Sequence, residues 1–450
     1  MSLKSMAVVV AALMLPVIAA ADDIAVTVYN SNLGVVSETR DLDFKKGVNR
    51  IAFTDVPSQI DATSVRFDVL SDAQSVTILE QNYAFDLVSS SKIYSKYIDK
   101  DIQLVDKDGN VYSGTLLSYD GGSATLGDSS GKIKIVSMGN IVEVNFPELP
   151  EGLITRPTLF WLYNSSVTGK LQSRVSYQTS GMSWSAEYVG VLDGNEKNLD
   201  LSGWASISNQ SGKTYDDAML RLIAGQINRA QQPVPRLQKG MVAELSAAPS
   251  SFQEKAFFEY HMYTLPRKAT LADKEIKQIS LFEPATTPVQ KIYKYMANGS
   301  SGDVEVAVKF TNSEKSGLGM PLPAGRVRMF KADADGSLIL LGEDQISHTP
   351  KDEELSVTVG TAFDIVAEER LVSRNKVSQK VEDQDYEIEI RNHKSEPVTV
   401  EVDKNLYGFW EITRSNLEYK KKDAYTVQFD VPVKAEDTTA VSFTVRITGR

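Results

Sequence analysis

The sequence predicts a mainly β chain, built from tandem β-sandwich and small β-barrel domains and ending in an immunoglobulin-like sandwich. Three observations carry this. Apolar and polar residues alternate with period two in many short runs, such as Ile24, Val26 and Val28 against Ala25, Thr27 and Tyr29, or Tyr386-Glu-Ile-Glu-Ile390 and Val398-Thr-Val-Glu-Val402. The apolar members are rich in β-branched residues, the signature of strands with one face on a core and one in water. Few stretches show a helical period long enough to compete.

Taken in order, residues 1–21 read as a secretory signal peptide. Lys4 precedes an apolar run from Met6 to Ile18, and Ala19-Ala20-Ala21 stand before Asp22. A basic start, a short apolar centre and small residues at a cut site are its three parts. The run is shorter than the roughly 20 residues a membrane-spanning helix needs, and Pro16 interrupts it.

Residues 22–98 read as an N-terminal β domain, with turns at Lys45-Lys46-Gly47 and Val56-Pro57-Ser58. Over 99–147 the strands become short and closely spaced, turning at Asp106–Asn110, Asp120–Gly122 and Ser129–Gly131. Such spacing predicts a small barrel of the SH3 or Sm-like kind, bent until its edges close. A Pro- and Glu-rich linker follows at 148–158. Residues 159–358 form the expected central β-sandwich, carrying Trp161, Trp184 and Trp204. Within it, 228–251 loses the alternation and gains Gln, Pro, Ala and Ser, so a loop insertion is expected there. From 359 to 450 strand patterns recur at the rhythm of an immunoglobulin-like sandwich. A transmembrane β-barrel uses the same alternation, but needs longer strands with an apolar outward band. Here charges interrupt the runs on both faces.

Composition narrows the function classes. The chain has no cysteine, which excludes disulfides, thiolate metal sites and an N-terminal lipid-modified cysteine. A formal net charge of −11 argues against nucleic acid or anionic lipid as the main partner.

The motifs that invite chemistry mostly fail on spacing. Asp333-Ala-Asp-Gly-Ser337 matches part of an EF-hand loop, but Lys331 and Gly342 stand where the first carboxylate and the closing glutamate belong. Asp106–Asn110 fails similarly, and both read as hairpin turns. Gly212-Lys213-Thr214 resembles the end of a phosphate loop whose opening glycine is Ile207. Ser89–Lys92 and Ser373–Lys376 match Ser-x-x-Lys without the companion motifs of acyl-enzymes. His261, His348 and His393 are the three histidines, none spaced as a local ligand pair. His348 has Asp344, Asp352 and Glu353 near it in sequence. Trp184 and Trp204 are expected in the core, as tryptophans in β-sandwiches usually are. No catalytic residue, metal ligand or cofactor-binding residue is assigned, and no cofactor is expected.

Several longer segments occur in a recognisable order. They are Tyr177–Tyr188, Leu201–Trp204, Asn209–Gly225, His261–Pro266, Leu322–Arg328, Leu341–Glu343, His348–Pro350 and Gly360–Asp364. This set resembles the bacterial exported proteins grouped as domain of unknown function 4139, to which mucoidy-inhibitor-like proteins also belong. The resemblance spans about 159–450; the first 150 residues share only a general likeness to the N-terminal β domains of such proteins. It implies a secreted or periplasmic β-rich protein and brings no catalytic residue with it. Asn209, Gly212 and Tyr215-Asp216 would form a turn, with Leu220 and Leu222 directed into the core.

Two functions fit these readings. The first is a non-catalytic binding or scaffolding protein of the cell envelope, engaging a protein or glycan partner. The second is a hydrolase of envelope polysaccharide or peptide, with carboxylates or His261 and His348 meeting at a domain junction. Its mark would be a deep cleft holding an acid with a shifted pKa.

Overall fold

The computed structural model describes residues 23–148, 150, 153–225, 253–257, 260–299 and 302–449. The leader expected over 1–21 and the loop expected over 228–251 lie outside the described residues. About 68% of the described residues are strand and 3% helix, which makes the fold mainly β.

The first strands are β1 (Asp23–Tyr29), β2 (Leu33–Phe44), β3 (Gly47–Thr54), β4 (Ile60–Val69) and β5 (Val76–Ala84). Helix α1 (Ser90–Lys96) precedes the short strands β6 (Asp101–Asp106), β7 (Val111–Tyr119), β8 (Ser123–Gly127), β9 (Ile133–Ser137) and β10 (Ile141–Asn145). The central part holds β11 (Thr158–Ser165), β12 (Gly169–Thr179), β13 (Met182–Leu192), β14 (Asn198–Asn209), β15 (Tyr215–Ala224), β16 (Gln253–Phe257), β17 (Tyr260–Thr264), β18 (Ala269–Leu271) and β19 (Glu275–Pro288). The remainder is β20 (Gln290–Ala297), β21 (Gly302–Thr311), β22 (Gly325–Ala332), β23 (Leu338–Ile346), β24 (Glu354–Lys376), β25 (Val381–Asn392), β26 (Val398–Asn405), β27 (Phe409–Ser415), β28 (Tyr419–Lys421), β29 (Thr426–Val433) and β30 (Asp437–Thr448).

Period two sets the faces. Along β13, Met182, Trp184, Ala186, Tyr188, Gly190 and Leu192 are buried while the residues between them are partly or fully exposed. Period two does not set the partners. β1 runs parallel to β15, and β2 and β4 both flank β12, so strands from 22–98 and 159–358 share one eight-stranded sheet. β3 and β5 likewise flank β11. The N-terminal stretch therefore completes the central sheets instead of forming a sheet of its own.

Because β5 pairs directly with β11, the chain between them projects as an insertion. The parallel bridge Leu87–Ile154 closes its neck. Its five strands take the order β10-β6-β7-β8-β9 around a separate core of Tyr94, Tyr97, Leu104, Leu116 and Leu126. The barrel expected here does not close. A 3-10 turn at Met138–Asn140 carries the chain from β9 into β10, which pairs with β6 and not with β9, so β9 and β10 remain the two open edges.

A five-stranded sheet, β19-β14-β13-β22-β23, covers the eight-stranded one, and Trp161, Trp184, Tyr177 and Tyr188 lie buried in their shared core. Trp204 departs from expectation. It stands on the outward face of β14 with Ser202 and Ser206, half-buried, while Leu201, Gly203 and Ala205 face inward. Leu220 and Leu222 are fully buried.

The last sheet has nine strands in the order β27-β30-β25-β24-β21-β20-β26-β29-β28. It curls over a core of its own, with Phe429 and Phe443 facing each other at 5.0 Å. Tyr293, Tyr295 and Val304 enter this core, so the C-terminal sandwich also draws strands from before residue 359. Among the described residues no helix is long and apolar enough to cross a membrane.

Candidate functional site

The motif residues take structural posts. Gly336 closes the β22–β23 hairpin at φ +83, and Asp333 and Ser337 are joined by a backbone hydrogen bond. Asp106 accepts from the amides of Asp108 and Asn110 and from the side chains of Asn110 and Tyr112. Those bonds, led by Asn110, hold its carboxyl below the usual range. Ser89 caps α1 through the amide of Lys92, and Ser373 Oγ donates to Asp385. Each serine is thereby committed to a partner other than the side-chain amine of its lysine.

Asp344 accepts from the Thr358 amide, the Asp352 amide donates to Asn312, and the Glu353 carbonyl accepts from Asn312. Of the three, Asp344 commits its carboxylate to this contact, while Asp352 and Glu353 hold the loop through their backbones. His348 itself is exposed, and its Nδ1 accepts from the Ala324 amide at 3.1 Å. That bond requires the neutral ring with the proton on Nε2. Partial burial, and then the nearby His261, pull its pKa below the ordinary value. The structure thus brings His348, on a surface loop, into electrostatic reach of His261 on β17. Among the described residues no group of three or more His, Asp or Glu side chains is arranged to hold a metal.

Gly212-Lys213-Thr214 belongs to a tight turn between β14 and β15. Asn209 is buried and donates to the carbonyls of Lys213 and Leu271, while Gly212 adopts φ +86. The turn sends Lys213 inward, where its Nζ lies 2.8 and 3.0 Å from the two oxygens of Glu38. Tyr177 donates to the same carboxylate and Arg40 pairs with it. Burial opposes the charge on Glu38, but Lys213 and Arg40 outweigh it and hold the carboxyl below its normal value. This knot is sealed inside the protein, so it serves the fold.

The open site is a cleft of about 930 Å³ where the central sheets meet the C-terminal one. One wall begins at the β13–β14 turn. Asp193 accepts from the Lys197 amide and from Asn198 Nδ2, both at 2.8 Å, which winds the turn tightly enough to put Glu196 at φ +58. Glu196 then reaches Lys291 on β20 and Lys331 on β22. Hydrogen bonds from Lys291 and then Lys331 lower its pKa to about 2. Val289, at the β19–β20 joint, bonds back to the Lys197 carbonyl and fixes the floor.

Further charges lining the cleft are also matched: Lys309 with Glu354 and Lys420 with Asp430, each at 2.7 Å. Lys422, also lining it, pairs with Asp403 at 2.7 Å. Lys294 bonds Ser356 Oγ at 2.7 Å. Among the described residues Lys197 and Lys294 have no carboxylate partner. A wall of fixed ion pairs with Lys197, Lys294 and the Glu401 carboxylate, which also lines the cleft, suits recognition of a polar group. The sequence reading missed this cleft. Its only local signal was the run Lys420-Lys421-Lys422.

These features define a class: a multi-sheet β protein whose chemistry-bearing residues are bound up in ion pairs and turns. The chain belongs to the family described as Domain of unknown function (DUF4139), whose model matches residues 173–448. Residues 26–110 match a second model, N-terminal domain of unknown function (DUF4140). No curated protein matches the chain.

Proposed function

We propose that the chain is an exported, non-catalytic binding or scaffolding protein of the cell envelope, working in the periplasm and engaging a protein or glycan partner. The observation that carries this reading is the charge state of the cleft. A general acid or base works best with a pKa near the operating pH. Glu196, held at about 2, stays a permanent anion and serves to position Lys291 and Lys331. Lys197 and Lys294 remain to meet a carboxylate or sulfate of the partner. The signal-peptide pattern over residues 1–21 supports the address.

The test is a thermal-shift screen of residues 22–450 against divalent metals, neutral and uronic oligosaccharides, and acidic and basic peptides. A ligand bound only by the native state raises the melting temperature. Stabilisation by an anionic ligand that is lost in Lys197→Glu/Lys294→Glu supports the reading. Turnover of any probe, or stabilisation unchanged in that variant, overturns it. Recovery of the chain in the cytoplasmic fraction overturns the address.

A further inference from the structure

The cleft is polarised along its length. Lys197 stands on the β13–β14 turn, and its carbonyl accepts from the Val289 amide, which places it beside the start of β20. Lys294, further along β20, has a glutamate opposite it on each side: Glu305 on β21 and Glu401 on β26. Among the described residues it ion-pairs with neither. Its Nζ instead bonds Ser356 Oγ on β24 at 2.7 Å. Ser356 and Gln290 both stand opposite Lys309, so Lys294 leans back toward the start of β20, where Lys197 is. Lys309 there is already matched by Glu354 at 2.7 Å. Two cations are thus left over at this end.

The other end is short of positive charge. Of the two glutamates beside Lys294 only Glu401 lines the cleft, and it leans away, accepting from Gln428 Nε2 on β29 at 3.4 Å. Asp430 stands opposite Glu401 on β29, and the two carboxylates share one lysine. Lys420 bonds Asp430 at 2.7 Å; that bond and the charge of Asp430, then that of Glu401, raise its pKa. Lys422 is taken by Asp403, and Glu396 by Lys394. Among the described residues Glu401 has no ion-pair partner. A ligand of a single sign would satisfy one end and meet a like charge at the other. An exposed ion pair between strands is worth little, so a dipolar ligand can hold Lys294 and Glu401 apart without breaking a strong contact.

We propose that the cleft binds a short peptide with both ends free, its carboxylate meeting Lys197 and Lys294 and its ammonium meeting Glu401. Such a peptide carries its two charges at opposite ends of an extended body, as the cleft does. The volume of about 930 Å³ falls within the roughly 300–1,000 Å³ of small-ligand sites, so the occupant is a short chain and not a folded surface. Asn195, Gln290 and Thr399 line the cleft as neutral partners for the amides between the two ends. This names the ligand of the binding reading above and rests on that reading for the site.

Calorimetric titration of residues 22–450 tests this with di-, tri- and tetra-alanine, each free-ended, N-acetylated or C-amidated. The free-ended peptide of matching length should bind. Acetylation and amidation should each weaken it about tenfold or more, as loss of one charged hydrogen bond does. Glu401→Gln should weaken the free-ended peptide equally but leave the acetylated one unchanged, and Lys197→Gln/Lys294→Gln should do the same for the amidated one. Each variant, changed only at partly or fully exposed side chains, should keep the wild-type melting temperature. No binding of any free-ended peptide, equal binding of free and acetylated forms, or equal losses for both forms in Glu401→Gln would overturn the proposal. Anionic oligosaccharides that still stabilise the chain through Lys197 and Lys294 would then leave the binding reading standing, and their failure too would remove both.

Discussion

Lys213 Nζ lies 2.8 Å from Glu38 Oε1, across 175 residues of sequence, with the lysine side chain 4% exposed and the glutamate fully buried. The pair joins the β14–β15 turn to the middle of β2. It therefore ties the segment matching the N-terminal family model to the segment matching the larger one.

Removing one partner strands a buried charge. Glu38→Gln or Lys213→Met should each cost roughly 3–5 kcal/mol in urea unfolding. The double variant Glu38→Gln/Lys213→Met should cost clearly less than the two single losses added together. Additive losses would show that the charges do not depend on each other.

The same pair sets an acid limit. Lys213 and Arg40 keep the Glu38 carboxyl below its unfolded value, so the unfolded chain takes up the proton first as pH falls. Stability from Glu38 is complete above about pH 4.3, the unfolded carboxyl value, and is lost as pH drops through the folded value. Glu196 behaves alike, with its window running down to about 2. Its two lysine contacts are partly exposed, so Glu196→Gln should cost only about 0.5–1 kcal/mol per pair at neutral pH. The difference from wild type should vanish near pH 2, which pH-dependent unfolding curves will show.

His348 responds at milder pH. Protonating Nδ1 breaks its bond from the Ala324 amide, and the folded pKa lies below the unfolded one. Its contribution is intact above about pH 6.5 and declines as pH falls through the folded value. The imidazole NMR titration of His348 should therefore have a midpoint below that of a free histidine. In His348→Ala that midpoint should disappear, together with the matching change in the Ala324 amide shift.

Gly212→Ala tests the turn that delivers Lys213. An added Cβ would lie 2.0 Å from Ser58 Oγ, at a φ of +86 that alanine adopts poorly. Gly336 has φ +83 with nothing within 4 Å of its would-be Cβ. Gly336→Ala should thus cost about 1 kcal/mol for the backbone alone, and Gly212→Ala distinctly more. Equal losses in chemical denaturation would mean that Ser58 moves aside freely.

Local rules reached particular features and stopped at others. The alternation in Met182–Leu192, the Asp333–Ser337 hairpin and the Asn209–Gly212 turn were legible because neighbours in sequence decide them. Trp204 was misplaced for a definite reason. Period two separates the faces of β14 without saying which face is the core. The inward face carries Leu199, Leu201, Ala205 and Ile207, and beside Trp204 it narrows to Gly203 against Phe282, where an added Cβ would lie 2.3 Å from the ring. The barrel over 99–147 was drawn closed because its strands were counted correctly, while their final pairing depends on where one short turn points.

By itself the sequence determined a mainly β chain without cysteine, its turns, its acidic balance and its family likeness. These depend on composition and on residues a few positions apart. The tertiary structure decided that β1 lies beside β15, that Lys213 is buried on Glu38, and that Glu196 meets Lys291 and Lys331. Strand partnership is a choice among many compatible edges, made by burial over the whole chain. No local pattern records it.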